Sequence, residues 1–237
     1  MDASPSLAIT SFAERFRATL GDVARTTMRT LYRAIRPLSV MDVIELYHLP
    51  TSECRQSSRV DGYRIEVVDA KRLSELARET TLPETLSAQA PLEDDRRIVL
   101  AFRGDAIVAH LCLATGAVPA KQNYSRTAAL GTSLELTPGT GFLFNAWTSP
   151  EHRGRRIIGG LAAHAVRHRV LGCWALLTCV DWTNAPSRKA FERLGMTSLG
   201  QVWRIGWGPL QLTVFPRSAR RLGLQIATDS PGWKVAL

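Results

Sequence analysis

With 237 residues, 45% of them hydrophobic and 22% charged, the chain can bury a substantial core and is too apolar to be a disordered segment. The formal charge is +9, and the start, MDASPSLAIT, lacks a basic region followed by an apolar core. No apolar run approaches the ~20 residues of a membrane span, so a cytoplasmic protein without a transmembrane segment is expected.

Residues 11–38 give the longest helical pattern. Phe12, Phe16, Leu20, Val23, Ala24, Met28, Leu31 and Ile35 recur mostly three or four apart, while Arg15, Arg25, Arg29, Arg33 and Arg36 lie largely off that stripe. Ser11 with Glu14 suits a capping box, and Pro37 a stop. Such a helix either packs on its own domain or a second subunit, as in a homodimer, or offers a basic amphipathic face to a membrane surface or partner. Residues 39–50 add an apolar stretch and 51–62 a mostly polar loop, so 1–60 reads as an N-terminal helical extension.

From Tyr63 strands and helices alternate. Residues 63–68 read as a strand and 70–79 as a helix. Strands over 97–103 and 106–114 flank Gly104-Asp105, a hairpin signal. Residues 116–132 form an irregular polar loop of the kind that covers an acceptor site, and 134–137 start a further strand. After Pro138-Gly139 comes an apolar strand, 142–148, then a turn at Ser149-Pro150, three arginines, and a small-residue helix from Ile157 to about Arg169. A continuous apolar run over 174–180 reads as a strand buried on both faces. Strand, helix and strand of this length predict a parallel pair, with ligands at the carboxyl ends where Thr148 and Val180 meet. Residues 185–194 make the last clear helix, stopped by Gly195; 197–215 supply two antiparallel strands, and 216–237 look like an appended tail.

The four cysteines, Cys54, Cys112, Cys173 and Cys179, show neither close metal-ligand pairs nor a small disulfide framework. Cys112 and Cys179 sit in strand-like stretches and read as core, and no metal is expected.

The turn at 150–156 has the chemistry of an anion site. The first turn of a helix has amide N–H groups without intrahelical partners and roughly half a positive charge, and here Arg153, Gly154, Arg155 and Arg156 stand at that entrance. Residues 151–221 hold twelve Lys/Arg against three acids, so the whole net charge lies in this part of the chain. That concentration favours an anionic cofactor or carrier over nucleic acid, with a solvated basic face as the plain alternative.

Residues 150–154, Pro-Glu-His-Arg-Gly, followed by Gly159-Gly160, resemble the coenzyme A pyrophosphate motif of the GNAT superfamily of acyl-CoA-dependent N-acyltransferases. A second segment, NAPSRKAFERLGM from Asn184 to Met196, is similar to that family's later helix ending in Leu-Gly-Phe. The resemblance implies an α/β fold: a mixed, centrally splayed β-sheet flanked by helices over 61–215, with the N-terminal amphipathic helix added and 216–237 as a C-terminal tail. It implies that the pantetheine arm lies along the main chain of Ala146, Trp147 and Thr148, with the pyrophosphate on Arg153, Gly154, Arg155, Arg156, Ile157, Ile158 and Gly159, and Asn184 and Ser187 facing the arm.

The implied activity is transfer of an acyl group, acetyl first, from acetyl-CoA or another acyl-CoA to a small-molecule amine in a ternary complex. A non-catalytic acyl-CoA sensor and an enzyme served by an acyl carrier protein are the alternatives. This chain departs from the family where bulky Arg156 and Ile158 stand among the expected glycines, and Gly159-Gly160-Leu161-Ala162-Ala163 also reads as a small-residue face packed on the sheet. Where many members place a base and a tyrosine acid, it offers Asn145 and Phe191, neither of which titrates. Asp181 and His110 remain as catalytic candidates, each also readable as a turn residue and a satisfied buried histidine.

Overall fold

The structure, a computed structural model, describes residues 26–31, 41–87, 93–125, 130–206, 211–222, 224–226 and 233–236. Met1–Val40 and Met41–Leu237 are separate compact units. In the first, residues 26–31 are helical; the rest of the helix expected over 11–38 lies outside the described residues.

The second unit runs β1 (Met41–Pro50), β2 (Arg64–Val68), α1 (Ala70–Glu79), α2 (Glu84–Ser87), β3 (Arg96–Arg103), β4 (Ala106–Ala114), β5 (Ala117–Val118), β6 (Leu134–Glu135) and β7 (Thr140–Thr148). It continues through α3 (Ile157–Arg167), β8 (Ala175–Asp181), α4 (Ala185–Leu194), β9 (Thr197–Ile205), β10 (Leu212–Phe215), α5 (Arg217–Arg221), β11 (Gln225–Ile226) and β12 (Trp233–Ala236). Among the described residues nine strands form one mixed sheet in the order β12-β10-β9-β1-β8-β7-β4-β3-β2, and β11-β6-β5 form a small second sheet. β7 and β8 are parallel, as the strand–helix–strand spacing predicts.

Local chemistry sets most of these elements. Asp69 caps α1 by accepting from the Arg72 N–H at 2.8 Å, and Leu73 and Leu76 put one face of the helix into the core. The hairpin forms at Gly104-Asp105, with Arg103 opposite Ala106. Asn184 Oδ1 accepts from the Ser187 N–H at 3.2 Å to start α4, and Gly195, at φ 107°, ends it in a left-handed conformation that costs glycine little.

Two apolar layers sandwich the sheet. On one face Ile157, Leu161, Ala162, Ala165 and Val166 of α3 pack on Leu111, Leu113, Leu143 and Leu176, with Phe191 and Leu194 of α4 beside them. On the other, Leu73, Leu76 and Leu86 cover Val68, Ile98 and Leu100, and Phe142, Phe144, Leu177 and Val202 continue the layer.

Two segments differ from their sequence reading. The apolar stretch grouped with the extension over 1–60 is β1, a central strand hydrogen-bonded to β8 on one side and β9 on the other. Its apolar side chains, Val43, Ile44, Leu46, Tyr47 and Leu49, are all buried and enter both core layers, so 41–50 belong to the sheet. In the stretch read as a tail, β12 extends the same sheet by pairing in parallel with β10.

Candidate functional site

The site begins at an irregularity in β7. Cys112 faces Phe144 and His110 faces Trp147, so β7 takes three residue steps where β4 takes two. The extra residue is a bulge, with Asn145 at φ 45°, a left-handed conformation asparagine tolerates better than most residues. Asn145 Nδ2 donates to the Thr85 carbonyl at 2.9 Å, tying the bulge to α2. A bulge bends its strand. On its other edge β7 pairs with β8 only from Thr140–Ala175 to Leu143–Thr178, although both strands run further. The sheet is therefore splayed at its middle, past the Leu143–Thr178 rung.

A cavity of about 210 Å³ occupies this gap. Its inner wall includes Leu111, Leu143, Thr178 and Val180; α4 contributes Ser187 and Phe191, with Asn184 at its cap. On the opposite side stand Phe142, Phe144, Cys179 and the loop residues Gln122, Asn123, Tyr124 and Ser125. The gap thus runs from one face of the sheet to the other, and residues 122–125 of the polar loop reach it. Ala146, Asp181, Asn184 and Ser187 line the cavity, whereas Trp147, Thr148 and residues 153–159 lie outside its lining.

The turn that follows β7 is held from several sides. Ser149 N–H donates to the Val108 carbonyl at 2.9 Å, and Tyr63 OH and His152 Nδ1 share a hydrogen bond of 2.8 Å. Arg153, Gly154, Arg155 and Arg156 are exposed at the start of α3. The first bond of that helix runs from the Gly160 N–H to the Arg156 carbonyl at 3.1 Å, which leaves the amides of Ile157, Ile158 and Gly159 ahead of it. Arg156 itself is the cap residue, at φ 60° and ψ 23°. The entrance has the makings of an anion site: three amides ahead of the first helical bond at the positive end of a helix, with exposed Arg153, Arg155 and Arg156 in the same turn, Arg153 Nε donating to the Thr148 carbonyl at 3.3 Å.

Gly159 and Gly160 pack against a segment that sequence reading left as a plain loop, while Leu161, Ala162 and Ala163 of the same run lie in the layer that covers the sheet. A Cβ on Gly159 would lie 2.2 Å from Gln56 Oε1, and one on Gly160 would lie 2.1 Å from Val60 Cγ2. Gln56 Nε2 also donates to the Arg156 carbonyl at 2.9 Å, and Arg167 donates to the carbonyls of Gln56 and Cys54. A side chain at either glycine would have to push Gln56 or Val60 aside.

The candidate proton-transfer residues have contrasting surroundings. Asp181 lines the cavity and also holds the turn after β8: its Oδ1 accepts from the Thr183 N–H at 2.7 Å and from the Thr183 hydroxyl, and its Oδ2 accepts from Ser125 Oγ at 3.0 Å. His110 is fully buried, stacks on Trp147 with ring centroids 5.6 Å apart, and finds no hydrogen-bond partner for either ring nitrogen. Burial alone pushes its ring down to about 4, so it is neutral at physiological pH and stands outside the cavity lining. Asn145 is occupied by Thr85, and Phe191 presents only apolar surface. Burial also pushes the Cys179 thiol up to about 11, outweighing the nearby Arg204 charge.

Among the described residues no group of three His, Cys, Asp or Glu is placed to hold a metal, and no helix is long and apolar enough to cross a membrane. A family model described as Acetyltransferase (GNAT) family matches residues 65–196. Solved structures similar in fold include a GCN5-related N-acetyltransferase from Kribbella flavida, at 16% identity and TM-score 0.42 over 67% of this chain and 56% of that one. A conserved protein from Staphylococcus epidermidis ATCC 12228 matches at 14% identity and TM-score 0.45, over 73% of this chain and 65% of that one. A GNAT-family protein from Novosphingobium aromaticivorans DSM 12444 matches at 12% identity and TM-score 0.45, over 69% and 62%. The chain thus spans 56–65% of the length of these three structures. No curated protein sequence matches the chain.

Proposed function

Because the chain belongs to the acetyltransferase (GNAT) family, we propose that it transfers an acyl group, acetyl first, from an acyl-coenzyme A thioester to an amine acceptor by direct attack in a ternary complex. The observation that carries this reading is the splay past Leu143–Thr178, which leaves a cavity open to both faces of the sheet. The pantetheine arm enters from the α4 side, beside Ala146, Asn184 and Ser187, and takes main-chain hydrogen bonds from the free edge of β7 as an added strand would. The pyrophosphate lies on the amides of Ile157, Ile158 and Gly159 and the guanidiniums of Arg153, Arg155 and Arg156. The acyl-CoA supplies the activated thioester carbonyl.

The acceptor approaches from the loop side, past Tyr124 and Ser125. A main-chain N–H of β7 next to the bulge stabilises the oxyanion, a contribution worth about 2.7–4 kcal/mol per donor where it has been measured. Asp181, the one carboxylate among the described residues of the lining, takes the amine proton directly or through water.

A second reading, an acyl-CoA sensor without turnover, is favoured by the occupation of Asn145 by Thr85 and by Phe191 standing where an acid would be useful. Release of free thiol from acetyl-CoA across a panel of amines decides between them. Amine-dependent release supports transfer; saturable binding with none supports the sensor.

A further inference from the structure

Gln56 stands against the first turn of α3 without belonging to it. Its Nε2 donates to the Arg156 carbonyl at 2.9 Å, and a Cβ built on Gly159 would lie 2.2 Å from its Oε1, so the side-chain amide spans the helix start. The bond to Arg156 fixes which way that amide faces, since the reverse orientation would set Oε1 against a carbonyl oxygen. The main chain on either side of Gln56 is fastened. Arg167 donates to the Cys54 and Gln56 carbonyls at 2.8 and 3.3 Å, the Arg55 N–H to the Leu194 carbonyl at 2.8 Å, and the Tyr63 N–H to the Val60 carbonyl at 3.0 Å. Gln56 is half-buried, so its side chain also faces the surface at this entrance.

Arg156, whose carbonyl it holds, is the cap residue, and its φ of 60° and ψ of 23° are values that a non-glycine residue keeps only where its surroundings impose them. The same carbonyl accepts from the Gly160 N–H at 3.1 Å, so Gln56 is a second donor to one oxygen. A trans peptide is planar, and its C=O and the N–H that follows point in opposite directions. Holding the Arg156 oxygen toward the helix therefore holds the Ile157 N–H away from it, out of the entrance where the pyrophosphate is placed above. Rotation of this one plane would turn the amide aside.

We propose that Gln56 is a positioning residue for phosphate recognition: by holding the Arg156 carbonyl it aims the Ile157 N–H at the pyrophosphate of the coenzyme. It touches neither the thioester nor the reacting amine. The proposal rests on the acyl-coenzyme A reading above, and it carries the coenzyme site beyond residues 65–196, the segment that matches the family model. The plain alternative is a loop that only covers α3. Such a loop would serve every ligand of the cavity alike.

Two substitutions and three ligands separate these accounts. Gln56→Met keeps the length of the side chain and removes its polar atoms; Gln56→Asn keeps the amide and falls one methylene short of Arg156. Each variant, as the full chain, is titrated calorimetrically with coenzyme A, with dephospho-coenzyme A and with pantetheine, and its urea midpoint is measured alongside. Coenzyme A and dephospho-coenzyme A share the pyrophosphate, and both are expected to bind about tenfold more weakly to either variant, as for the loss of one well-placed hydrogen bond to a charged group. Pantetheine, which lacks the pyrophosphate, is expected to bind as it does to the wild type. Wild-type affinity for coenzyme A in both variants overturns the assignment. A loss shared equally by pantetheine also overturns it, whatever the urea midpoint, because it would mark the loop as a general support. A wild-type protein that binds none of the three ligands would strike the acyl-coenzyme A reading itself, and this assignment with it.

Discussion

Thr178 Oγ1 donates to the Leu143 carbonyl at 3.0 Å, across the last rung where β7 and β8 still pair. Both residues are buried, and one step further on the strands have parted around the cavity. The hydroxyl therefore satisfies a carbonyl at the point where the ladder can no longer do so.

Replacing Thr178 by Val keeps the shape and leaves the Leu143 carbonyl without this donor. The expected loss of stability is about 1–3 kcal/mol, the cost of an unsatisfied buried acceptor. Urea unfolding of the variant measures it. A wild-type midpoint would mean that the carbonyl is satisfied in another way.

At the anion entrance, Arg156 has two separable roles. Its guanidinium is expected to hold phosphate, so Arg156→Ala should weaken coenzyme A binding by about 1–3 kcal/mol, as for a charge-assisted hydrogen bond. Its backbone is left-handed, which costs a non-glycine residue roughly 1 kcal/mol. Arg156→Gly should therefore weaken binding equally while leaving stability unchanged or higher. Arg221, exposed on α5 outside the motif, is the control. Equal losses at Arg156 and Arg221 would indicate a diffuse basic surface.

Asp181 combines a turn and a candidate base. Asn at this position retains an acceptor for the Thr183 N–H, so the fold and coenzyme A binding should persist while turnover falls by about 10²-fold or more. The split is read from kcat and a thermal melt together. Unchanged kcat in a folded Asp181→Asn protein would leave the chemistry to positioning and solvent.

His110 gives a pH signature in stability. The unfolded chain binds a proton on this ring below about 6.5, its ordinary value, and the folded chain only near 4. The folded state therefore loses stability as pH falls through that window and loses no more from this group below it. The full difference amounts to about 3 kcal/mol. His110→Phe, which keeps a ring against Trp147, should flatten the acid limb of stability against pH measured by urea unfolding. An unchanged limb would assign the acid sensitivity to other groups.

The strand, turn and helix over 140–167 were legible because each carries local punctuation: apolar alternation, Ser149-Pro150, and a run of small residues. The hairpin at Gly104-Asp105 and the cap at Gly195 were legible for the same reason. β1 was not. Its partners lie more than a hundred residues away on β8 and β9, and Asp42, Glu45 and His48 break up its apolar pattern, so nothing local distinguished a central strand from an extension.

The candidate site divides the same way. Ala146, Asp181, Asn184 and Ser187 reach the cavity because they stand at strand ends and a helix cap that the sequence marks. The bulge had one visible signal, an asparagine inside an apolar strand. Gln56 and Val60 against the glycines had none, since their contacts are made only on folding.

The central claim is that the gap between β7 and β8 receives an acyl-CoA. Calorimetric titration of acetyl-CoA into the full chain at low ionic strength tests it most directly. The account expects saturable binding of one molecule per chain, weakened by Arg156→Ala and left unchanged by a substitution at Arg221. No binding of acetyl-CoA, of a longer acyl-CoA or of free coenzyme A would contradict it.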